Sequence, residues 1–424
     1  LINHTSLPIA KILVNFHPDL TLSSAEFRTT SEKMKIHHQV QEILLKKPLL
    51  PGQSAYLDFS VSYRWFPVNG HDSFNAILEN GSFMRISRYY PSLGYQKSRE
   101  TGDPAIRIQH GLGKASGIKP VNAPACSENN FINLDMTVFT NSDQTAVGTG
   151  DLVEQSHEHG RNRFRYKATG IPFRFALSSA TYAVKSVMHK GIEIKVFYHP
   201  DHPENVGNLI KNARLTLDYC TENFGKYPFN SISFAEISSF TDGFAATSYP
   251  SAVFMPENKL FHTNLKAGSQ QDVINELAGH ELSHLWWGNS SIDPDDREGN
   301  TMLTETLAMY TEMMLYKKIY GKQKMLEKLN IHRQIYEEEK SLSGNQPLFK
   351  VTSDHHYIAY SKGALAMVKL SELIGEKKVN TALRQFLLHN RYPKKPASTD
   401  LIREFDSMVH EPMLRKKIDS LFMN

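Results

Sequence analysis

Two histidines and a glutamate stand at a spacing that suits a metal ion and an activated water molecule. His280, Glu281 and His284 form the pattern His-Glu-x-x-His. On a helix, residues four apart lie one above the other, so both imidazole rings would project from one face. Zinc accepts imidazole nitrogen, and Glu281, about 100° further round the helix than His280, can reach a water on the metal without binding the metal itself. The spacing therefore predicts zinc-dependent hydrolysis with Glu281 as the general base.

A catalytic zinc needs a third protein ligand and keeps a fourth position open. The chain turns in an Asp-rich connection after the two histidines, and Thr301 can begin a second helix. Glu305 lies on the second turn of that helix among apolar neighbours, where a carboxylate needs a metal or a basic partner. Glu312 lies two turns later, and Glu298 precedes the helix in the connection. Glu305 is therefore the predicted third ligand, Glu312 is the weaker candidate, and Glu298 is expected to be solvated.

Strand-like alternation occupies the first part of the chain. Residues 55–65 and 132–138 alternate apolar and polar side chains, as strands with one buried face do. Further strands are expected at 12–16 and 173–184, separated by Pro, Gly and Asn. Such a segment closes most simply as an antiparallel β-sandwich. We therefore predict a β-rich N-terminal domain over residues 1–190.

Helical spacing replaces the alternation beyond about residue 200. A strand over 192–198 precedes a helix that Asp201 can cap and Gly225 can end. The prediction is thus an α+β protein, in which the sandwich is followed by a mixed α/β catalytic domain over 191–424 with a helical C-terminal part. The predicted helices from residue 272 onward are 272–287, 301–318, 322–340, 357–374, 376–390 and 398–409.

Composition excludes several classes of protein. The 424 residues carry 48 Lys and Arg against 44 Asp and Glu, a net charge of +4, which gives no electrostatic footprint for nucleic acid. No window supplies the roughly 18 apolar residues that a transmembrane helix needs. Because the first residue is Leu, we expect a processed product or a piece of a longer chain, from which any targeting segment has been lost. Cys126 and Cys220 could pair or remain thiols, and the sequence leaves both open.

The segments around the histidines resemble a known family of zinc peptidases. Residues 280–289, His-Glu-Leu-Ser-His-Leu-Trp-Trp-Gly-Asn, and 303–308, Leu-Thr-Glu-Thr-Leu-Ala, are similar to the aminopeptidase N and leukotriene hydrolase family, a group of gluzincins. The similarity is closest to the branch joined to bacterial ABC-transporter permeases, and it extends to residues 79–83 and 90–95. It covers most of the chain, apart from the family's large C-terminal helical domain.

The resemblance implies a fold and a set of roles. A saddle-shaped β domain would precede a thermolysin-like catalytic domain, and one zinc ion (Zn2+) would be held by His280, His284 and Glu305. Glu281 would be the general base for a zinc-activated water. Tyr360, within the element Tyr-Ser-Lys-Gly, would donate its hydroxyl to the oxyanion. The 20 residues between His284 and Glu305 are two more than the family usually has, and they fall in a connection that tolerates insertions.

A second departure concerns the end of the substrate. In the family, a glutamate in a Gly-x-Met-Glu-Asn motif holds the free α-amino group of the peptide. The matching stretch here has alanine where that carboxylate should be, and a buried ammonium without a counter-charge is costly. Asp242 and Glu236 are the acidic residues that could replace it. The residues expected to bind substrate are Gly243, Phe244, Ala245 and Ala246.

The predicted function is zinc-dependent peptide hydrolysis of the aminopeptidase type, with a peptide as substrate. A zinc endopeptidase or oligopeptidase without free-amine anchoring fits the missing carboxylate. A non-catalytic domain that binds zinc or a peptide, and hydrolysis of a non-peptide substrate, also stay open. No Ser or Cys nucleophile stands in a comparable setting. The resemblance further implies a membrane-associated parent or permease segment exposed outside the cytoplasm, whereas the sequence leaves the oligomeric state open.

Overall fold

The computed structural model describes residues 1–65, 75–96, 100–125, 131–241, 245–267, 272–290 and 292–424. The strands are β1 (Ile9–Asn15), β2 (Leu20–Arg28), β3 (Lys33–Lys35), β4 (Val40–Leu49), β5 (Tyr56–Tyr63), β6 (Ser82–Met84), β7 (Ser92–Leu93), β8 (Phe131–Asn141), β9 (Thr145–Gly148), β10 (Asp151–Glu158), β11 (Arg161–Pro172), β12 (Leu177–Ala180), β13 (Ala183–His189), β14 (Ile192–Tyr198), β15 (Ser231–Ile237), β16 (Thr247–Tyr249) and β17 (Ala252–Pro256). The α-helices are α1 (Pro104–Gln109), α2 (Val206–Asn223), α3 (His280–Ser283), α4 (Leu307–Tyr320), α5 (Lys322–Ser343), α6 (Gly363–Ile374), α7 (Glu376–His389), α8 (Ser398–Ser407) and α9 (Pro412–Met423). Shorter helical turns lie at Ile86–Tyr89, Asn275–Gly279, Met302–Thr306, Leu348–Lys350 and Ile358–Lys362.

The chain divides into two compact units, of which the first comprises Leu1–Asp72 and Arg85–Gly117. It contains two antiparallel sheets of three strands, in the orders β4-β1-β7 and β3-β2-β5. Side chains of both sheets, such as Val14 and Phe27, meet in one apolar core. The antiparallel sandwich is thus present, and the alternation predicted for 55–65 appears in β5, where every second residue is exposed.

The second unit comprises Ser73–Met84 and Ile118–Asn424 and contains the other sheets and helices α2–α9. The sheets β10-β11-β8 and β6-β12-β9 are antiparallel. The five-stranded sheet β13-β14-β15-β17-β16 is mixed, because β15 runs parallel to both of its neighbours. Helix α2 connects β14 to β15, and its Leu217 shares a core with Phe234 of the sheet and Leu307 of α4. The helices from residue 272 onward also pack apolar side chains into this core.

The domain boundary predicted at residue 190 falls inside the second unit. It lies between β13 and β14, which pair antiparallel with Val187 opposite Ile194. The strands of residues 131–189 group with the helices that follow them, so the compact units do not coincide with the predicted domains. The division into 1–190 and 191–424 stays a prediction about domain organisation.

The predicted helices correspond to α3–α8 when the helical turns that lead into α3, α4 and α6 are included, but α3 ends at Ser283 and not at the predicted residue 287. Helix α2 begins at Val206 and not at Asp201, because the preceding residues are held in a turn where the His199 amide donates to Glu236. Helix α9 was not among the predicted elements. No helix in the described ranges combines the length and the apolar composition that crossing a bilayer requires.

Candidate active site

Three segments that each include a π-helical turn supply the residues of the predicted zinc site. The turn Asn275–Gly279 leads directly into α3, which carries His280 and ends at Ser283, just before His284. The turn Met302–Thr306 contains Glu305 and continues as α4. The turn Ile358–Lys362 contains Tyr360 and continues as α6. Isolated π-helical turns within α-helices frequently occur at functional sites.

Two glycines allow these segments to approach one another closely. Gly288 has φ +109°, and a Cβ atom there would lie 2.9 Å from the Thr304 side chain. A Cβ atom on Gly363 would lie 2.6 Å from Thr306 Oγ1, whose hydroxyl donates to the Ala359 carbonyl. The segment with Glu305 is therefore packed tightly against both the histidine segment and the tyrosine segment.

Three donor atoms converge between these segments. Glu305 Oε2 lies 3.5 Å from His280 Nε2 and 3.5 Å from His284 Nε2. Donors around a tetrahedral zinc with bonds of about 2.0–2.2 Å lie about 3.3–3.6 Å from one another. Both histidines are buried, so the three atoms form a compact group of nitrogen and oxygen donors. The structure thus brings together the three residues predicted as metal ligands.

The second nitrogen of each imidazole has an acceptor of its own. His280 Nδ1 lies 3.2 Å from Glu312 Oε2, and His284 Nδ1 lies 3.1 Å from the Trp287 carbonyl. A metal-binding histidine commonly donates its remaining N–H to a carboxylate or a carbonyl, which fixes the ring and directs its other nitrogen to the metal. Both rings are therefore held with Nε2 directed towards Glu305.

The electrostatics of the group favour a cation. Burial opposes charge on His280, but hydrogen bonds to Glu305 and Glu312 outweigh it and raise the pKa of His280 to about 10. The pKa of His284 is also raised, because the charge of Glu305 outweighs burial. The two imidazoles in turn hold the pKa of Glu305 well below its usual range despite burial. Because this environment stabilises positive charge, these residues fit a divalent zinc.

Glu281 and Tyr360 lie beside the donor group. A carboxylate oxygen of Glu281 lies within 4.8 Å of nitrogen atoms of both His280 and His284. The Tyr360 hydroxyl donates to Glu305 Oε2 at 2.5 Å, and its ring stacks on His280 with centroids 5.8 Å apart. Burial raises the pKa of Glu281, and burial together with the charge of Glu305 raises the pKa of Tyr360. The Tyr360 hydroxyl is therefore a proton donor at neutral pH.

A cavity of about 480 Å³ opens next to these residues, within the usual size range of ligand pockets. Two of its acidic residues have basic partners, since Asp293 pairs with Lys395 at 2.8 Å and Asp295 pairs with Arg297 at 2.7 Å. Among the described residues, Arg174 is the one arginine or lysine of the lining. The charged or titratable lining residues are Arg174, Asp293, Asp295, Asp296, Glu305, His356 and Tyr360.

The residues predicted to bind substrate that the structure describes do not appear in the lining of this cavity. Asp242, Gly243 and Phe244 lie outside the described residues. Ala245 is exposed, Ala246 is half-buried against the apolar core, and neither lines the cavity described above. The carboxylate of Glu236 is already engaged by the His199 amide and by the ring of His202.

Two residues beside the site were not assigned a supporting role from the sequence. Glu312 accepts from His280, and its position seven residues after Glu305, on the same face of one helix, was the signal for it. Arg174 lines the cavity and donates to Asn289 Oδ1 at 3.1 Å. Arg174 and Asn289 are 115 residues apart in the chain, and no local sequence pattern links them.

The comparisons with known proteins concern the same part of the chain. A family model described as "Peptidase family M1 domain" matches residues 210–424. Endoplasmic reticulum aminopeptidase 2 of Homo sapiens is 21% identical over 206 residues, which are 46% of this chain and 21% of that protein. Glutamyl aminopeptidase of Mus musculus is 24% identical over 215 residues, which are 48% of this chain and 22% of that protein. These alignments therefore span about a fifth of the relatives' length.

A solved structure resembles nearly the whole chain. The M1 zinc metallopeptidase of Deinococcus radiodurans matches with a TM-score of 0.65 over 98% of this chain and 86% of that chain, at 16% sequence identity. This likeness concerns the fold, and it agrees with the predicted order of a β-rich part followed by a mixed α/β part with C-terminal helices. The predicted link to permeases stays a prediction.

Proposed function

The chain belongs to peptidase family M1, and membership of this family implies one catalytic zinc ion. We propose that the protein is a zinc-dependent peptidase of the aminopeptidase type. The observation that carries the proposal is the convergence of His280 Nε2, His284 Nε2 and Glu305 Oε2, with 3.5 Å from the carboxylate oxygen to each nitrogen. This donor group lies beside a cavity of a size that can admit the end of a peptide.

The residues around the donor group are proposed to share the work of peptide hydrolysis. Zinc held by His280, His284 and Glu305 would supply a Lewis acid that polarises the scissile carbonyl and lowers the pKa of water. Glu281 would accept the proton of the attacking water and pass it to the leaving amine. Tyr360 would turn its hydroxyl from Glu305 to the oxygen on which negative charge develops.

The cavity lining contains carboxylates, the groups that hold a free amino terminus. Its lining includes Asp293, Asp295 and Asp296, of which the first two are paired with Lys395 and Arg297, whereas Glu305 is assigned to the zinc. An ammonium group is stabilised by neighbouring carboxylates, in particular where burial limits competition from water. We therefore propose that Asp296, together with the neighbouring aspartates, takes the place of the glutamate that Ala246 lacks, and that the enzyme removes residues from the amino end.

Replacement of the proposed general base tests the reaction. We expect Glu281→Gln to lower kcat on a peptide library by about 10²–10⁴-fold, because the amide cannot accept the proton. Zinc content, measured by mass spectrometry of the metal, should stay at the wild-type level. Glu372→Gln, at an exposed helical pair with Lys369, is the matched control and should keep full activity. Wild-type activity in Glu281→Gln with zinc bound would contradict the assignment.

Blocked substrates test which end is recognised. The proposal predicts that N-acetylation of a peptide abolishes its cleavage, because the ammonium group that the carboxylates would hold is lost. Equal cleavage of free and acetylated peptides would instead identify an endopeptidase. Zinc binding with no turnover of any peptide would identify a non-catalytic domain.

The cellular setting is a further proposal that rests on the resemblance to the permease-joined branch. We propose a membrane-associated parent exposed outside the cytoplasm. Fractionation of cells that express the complete gene product, with protease added to intact cells, tests it. Recovery in the soluble cytoplasmic fraction would contradict this location.

A further inference from the structure

A second group of metal-ligating side chains lies outside the active site. His202, Glu236, Glu257 and His262 each present one ligand atom, and these four atoms lie within 4.8 Å of one another. The four residues come from separate parts of the mixed sheet and its connections. His202 follows β14, Glu236 belongs to β15, Glu257 directly follows β17, and His262 lies in the turn beyond it.

Hydrogen bonds hold Glu236 and His202 together, and a ring contact joins the exposed His262 to them. His202 Nδ1 is hydrogen-bonded to Glu236 Oε1, and the His199 amide donates to the other carboxylate oxygen of Glu236 at 2.7 Å. The rings of His202 and His262 meet edge to face with centroids 3.9 Å apart.

Two hydrogen bonds from Ser239 orient the carboxylate of Glu257. The Ser239 amide donates to Glu257 Oε1 at 3.1 Å, and the Ser239 hydroxyl donates to the same oxygen at 2.7 Å. Supporting hydrogen bonds of this kind commonly orient the ligands of metal sites. Both bonds are made to Oε1, and within the described part of the chain no hydrogen bond is made to Oε2 of Glu257.

The charge of the group is unbalanced without a cation. Glu236 is only 4% exposed, and among the described residues no lysine or arginine forms an ion pair with Glu236 or Glu257. A comparable group elsewhere, Asp272 with Glu276 and Glu312, has a lysine counter-ion, because Lys328 pairs with each of the three. One divalent cation bound to both carboxylates would supply the counter-charge that lysine and arginine do not.

We infer that His202, Glu236, Glu257 and His262 bind a second zinc ion, distinct from the catalytic one. Two imidazoles and two carboxylates are a donor set that zinc accepts, and small side-chain rotations would bring the donors to the separations of about 3.3–3.6 Å that a tetrahedral ion requires. Because protein groups would fill all four positions, the site would be structural. It would fasten the connection after β14 to the ends of β15 and β17.

Metal counting on the whole protein tests the inference. The protein is stripped with a chelator, incubated with excess zinc, freed of unbound metal, and analysed by mass spectrometry. We expect two zinc ions per chain for the wild type, and one for His280→Ala/His284→Ala and for His202→Ala/His262→Ala. His157→Ala, which removes an exposed imidazole on β10, is the matched control and should retain two.

A conservative single substitution and a spectroscopic measurement test the inference even if a double variant does not fold. The amide oxygen of Glu257→Gln can still accept from Ser239, so this variant should fold and should lose the second ion only. Co2+ added to it should give the visible absorption of one tetrahedral site, and Co2+ added to the wild type should give that of two. One metal ion per wild-type chain, or two retained in both Glu257→Gln and His202→Ala/His262→Ala, would overturn the inference.

Discussion

At the scale of single residues, Glu312 links the metal site to the protein around it. One of its carboxylate oxygens lies 3.2 Å from His280 Nδ1, and the other lies 3.1 Å from Lys328 Nζ. Glu312 is 4% exposed, so both contacts are made away from bulk water. The carboxylate therefore fixes the His280 ring and increases the electron density on the nitrogen that faces Glu305.

We expect Glu312→Gln to weaken zinc binding at the catalytic site by about 10–100-fold, the range that loss of such an outer partner typically produces. The neutral amide can still hydrogen-bond the ring, but it no longer supplies negative charge. Competition with a chelator of known affinity, in the background of Glu257→Gln, measures the change at this site alone. Glu327→Gln, at an exposed position on α5, should leave the affinity unchanged, and an unchanged affinity in Glu312→Gln would contradict the role.

Tyr360→Phe removes one hydroxyl and leaves the ring that stacks on His280. We expect kcat on peptides to fall by about 10²–10³-fold with little change in KM, because the lost hydrogen bond would act on charge that develops during the reaction. Steady-state kinetics separate the two constants. Tyr357→Phe, three residues before Tyr360 in the chain, loses a hydrogen bond to the Gly344 carbonyl; it is the control and should keep kcat.

The sequence made part of this site predictable because that part is local. His280 and His284 are related by one helical turn, and this relation does not depend on the rest of the fold. Glu305 required the further argument that a carboxylate among apolar neighbours needs a partner. Tyr360 came from the resemblance alone, and Arg174 was missed because its position beside the cavity depends on contacts distant in sequence.

At the scale of elements, the π-helical turns are the feature that periodicity could not predict. Continuous helices were expected over 272–287, 301–318 and 357–374, and each contains one wider turn. Apolar spacing identifies the buried face of a helix, but one inserted residue changes that spacing too little to be recognised. The wider turns contain Glu305 and Tyr360 and directly precede His280.

A lysine on α5 ties these elements together. Lys328 Nζ lies 3.1 Å from Asp272, 2.5 Å from Glu276 and 3.1 Å from Glu312, and the lysine is 8% exposed. It therefore joins α5 to the start of the histidine segment and to α4. Removal of one member of a buried ionic group leaves the others without compensation.

We expect Lys328→Met to lower the free energy of unfolding by about 3–5 kcal/mol, because three carboxylates lose their common counter-ion. Unfolding in urea, followed by circular dichroism, measures the change. Lys324→Met, one turn earlier on α5 in an exposed pair with Glu327, should change it by less than about 1 kcal/mol. Equal effects of the two substitutions would show that the buried group contributes little.

The same group predicts a dependence of stability on pH. Burial raises the pKa of Asp272 from 3.8 to about 7, although Lys328 opposes the shift. The folded state therefore holds this proton more tightly than the unfolded state, and the contribution of Asp272 to stability decreases as pH rises from about 4 to about 7. Asp272→Asn lacks this titration. Urea unfolding across that range should show the wild type losing stability relative to Asp272→Asn, whereas exposed Asp354→Asn should follow the wild type.

At the scale of the whole molecule, the fold class was predictable and the grouping of strands was not. Alternation in 55–65 and 132–138 correctly indicated strands, because it reports which face of a strand is buried. It carries no information about which core buries that face. Strands β5 and β8 accordingly belong to different compact units, although their patterns are alike.

Because the zinc ligands all belong to the second compact unit, we expect metal removal to affect that unit and not the first. The three proposed ligands of the catalytic zinc lie in the second unit, on segments that the ion would hold together. A free zinc concentration of about 100 times the Kd adds about 2.7 kcal/mol to the free energy of unfolding of the part of the chain that must unfold to release the ion. Chelation of the wild type should therefore speed amide hydrogen exchange in 275–290 and 302–312, whereas β1–β5 should exchange at the same rate with and without zinc.

His280→Ala/His284→Ala separates loss of the catalytic ion from other effects of the chelator. Because this variant cannot bind that ion, the chelator should cause no additional exchange in its histidine and glutamate segments. Exchange measured by mass spectrometry of peptides resolves these segments from the strands of the first unit. If chelation speeds exchange equally in β1–β5 and in 275–290, the two units unfold together, and the metal stabilises the whole chain cooperatively instead of one unit.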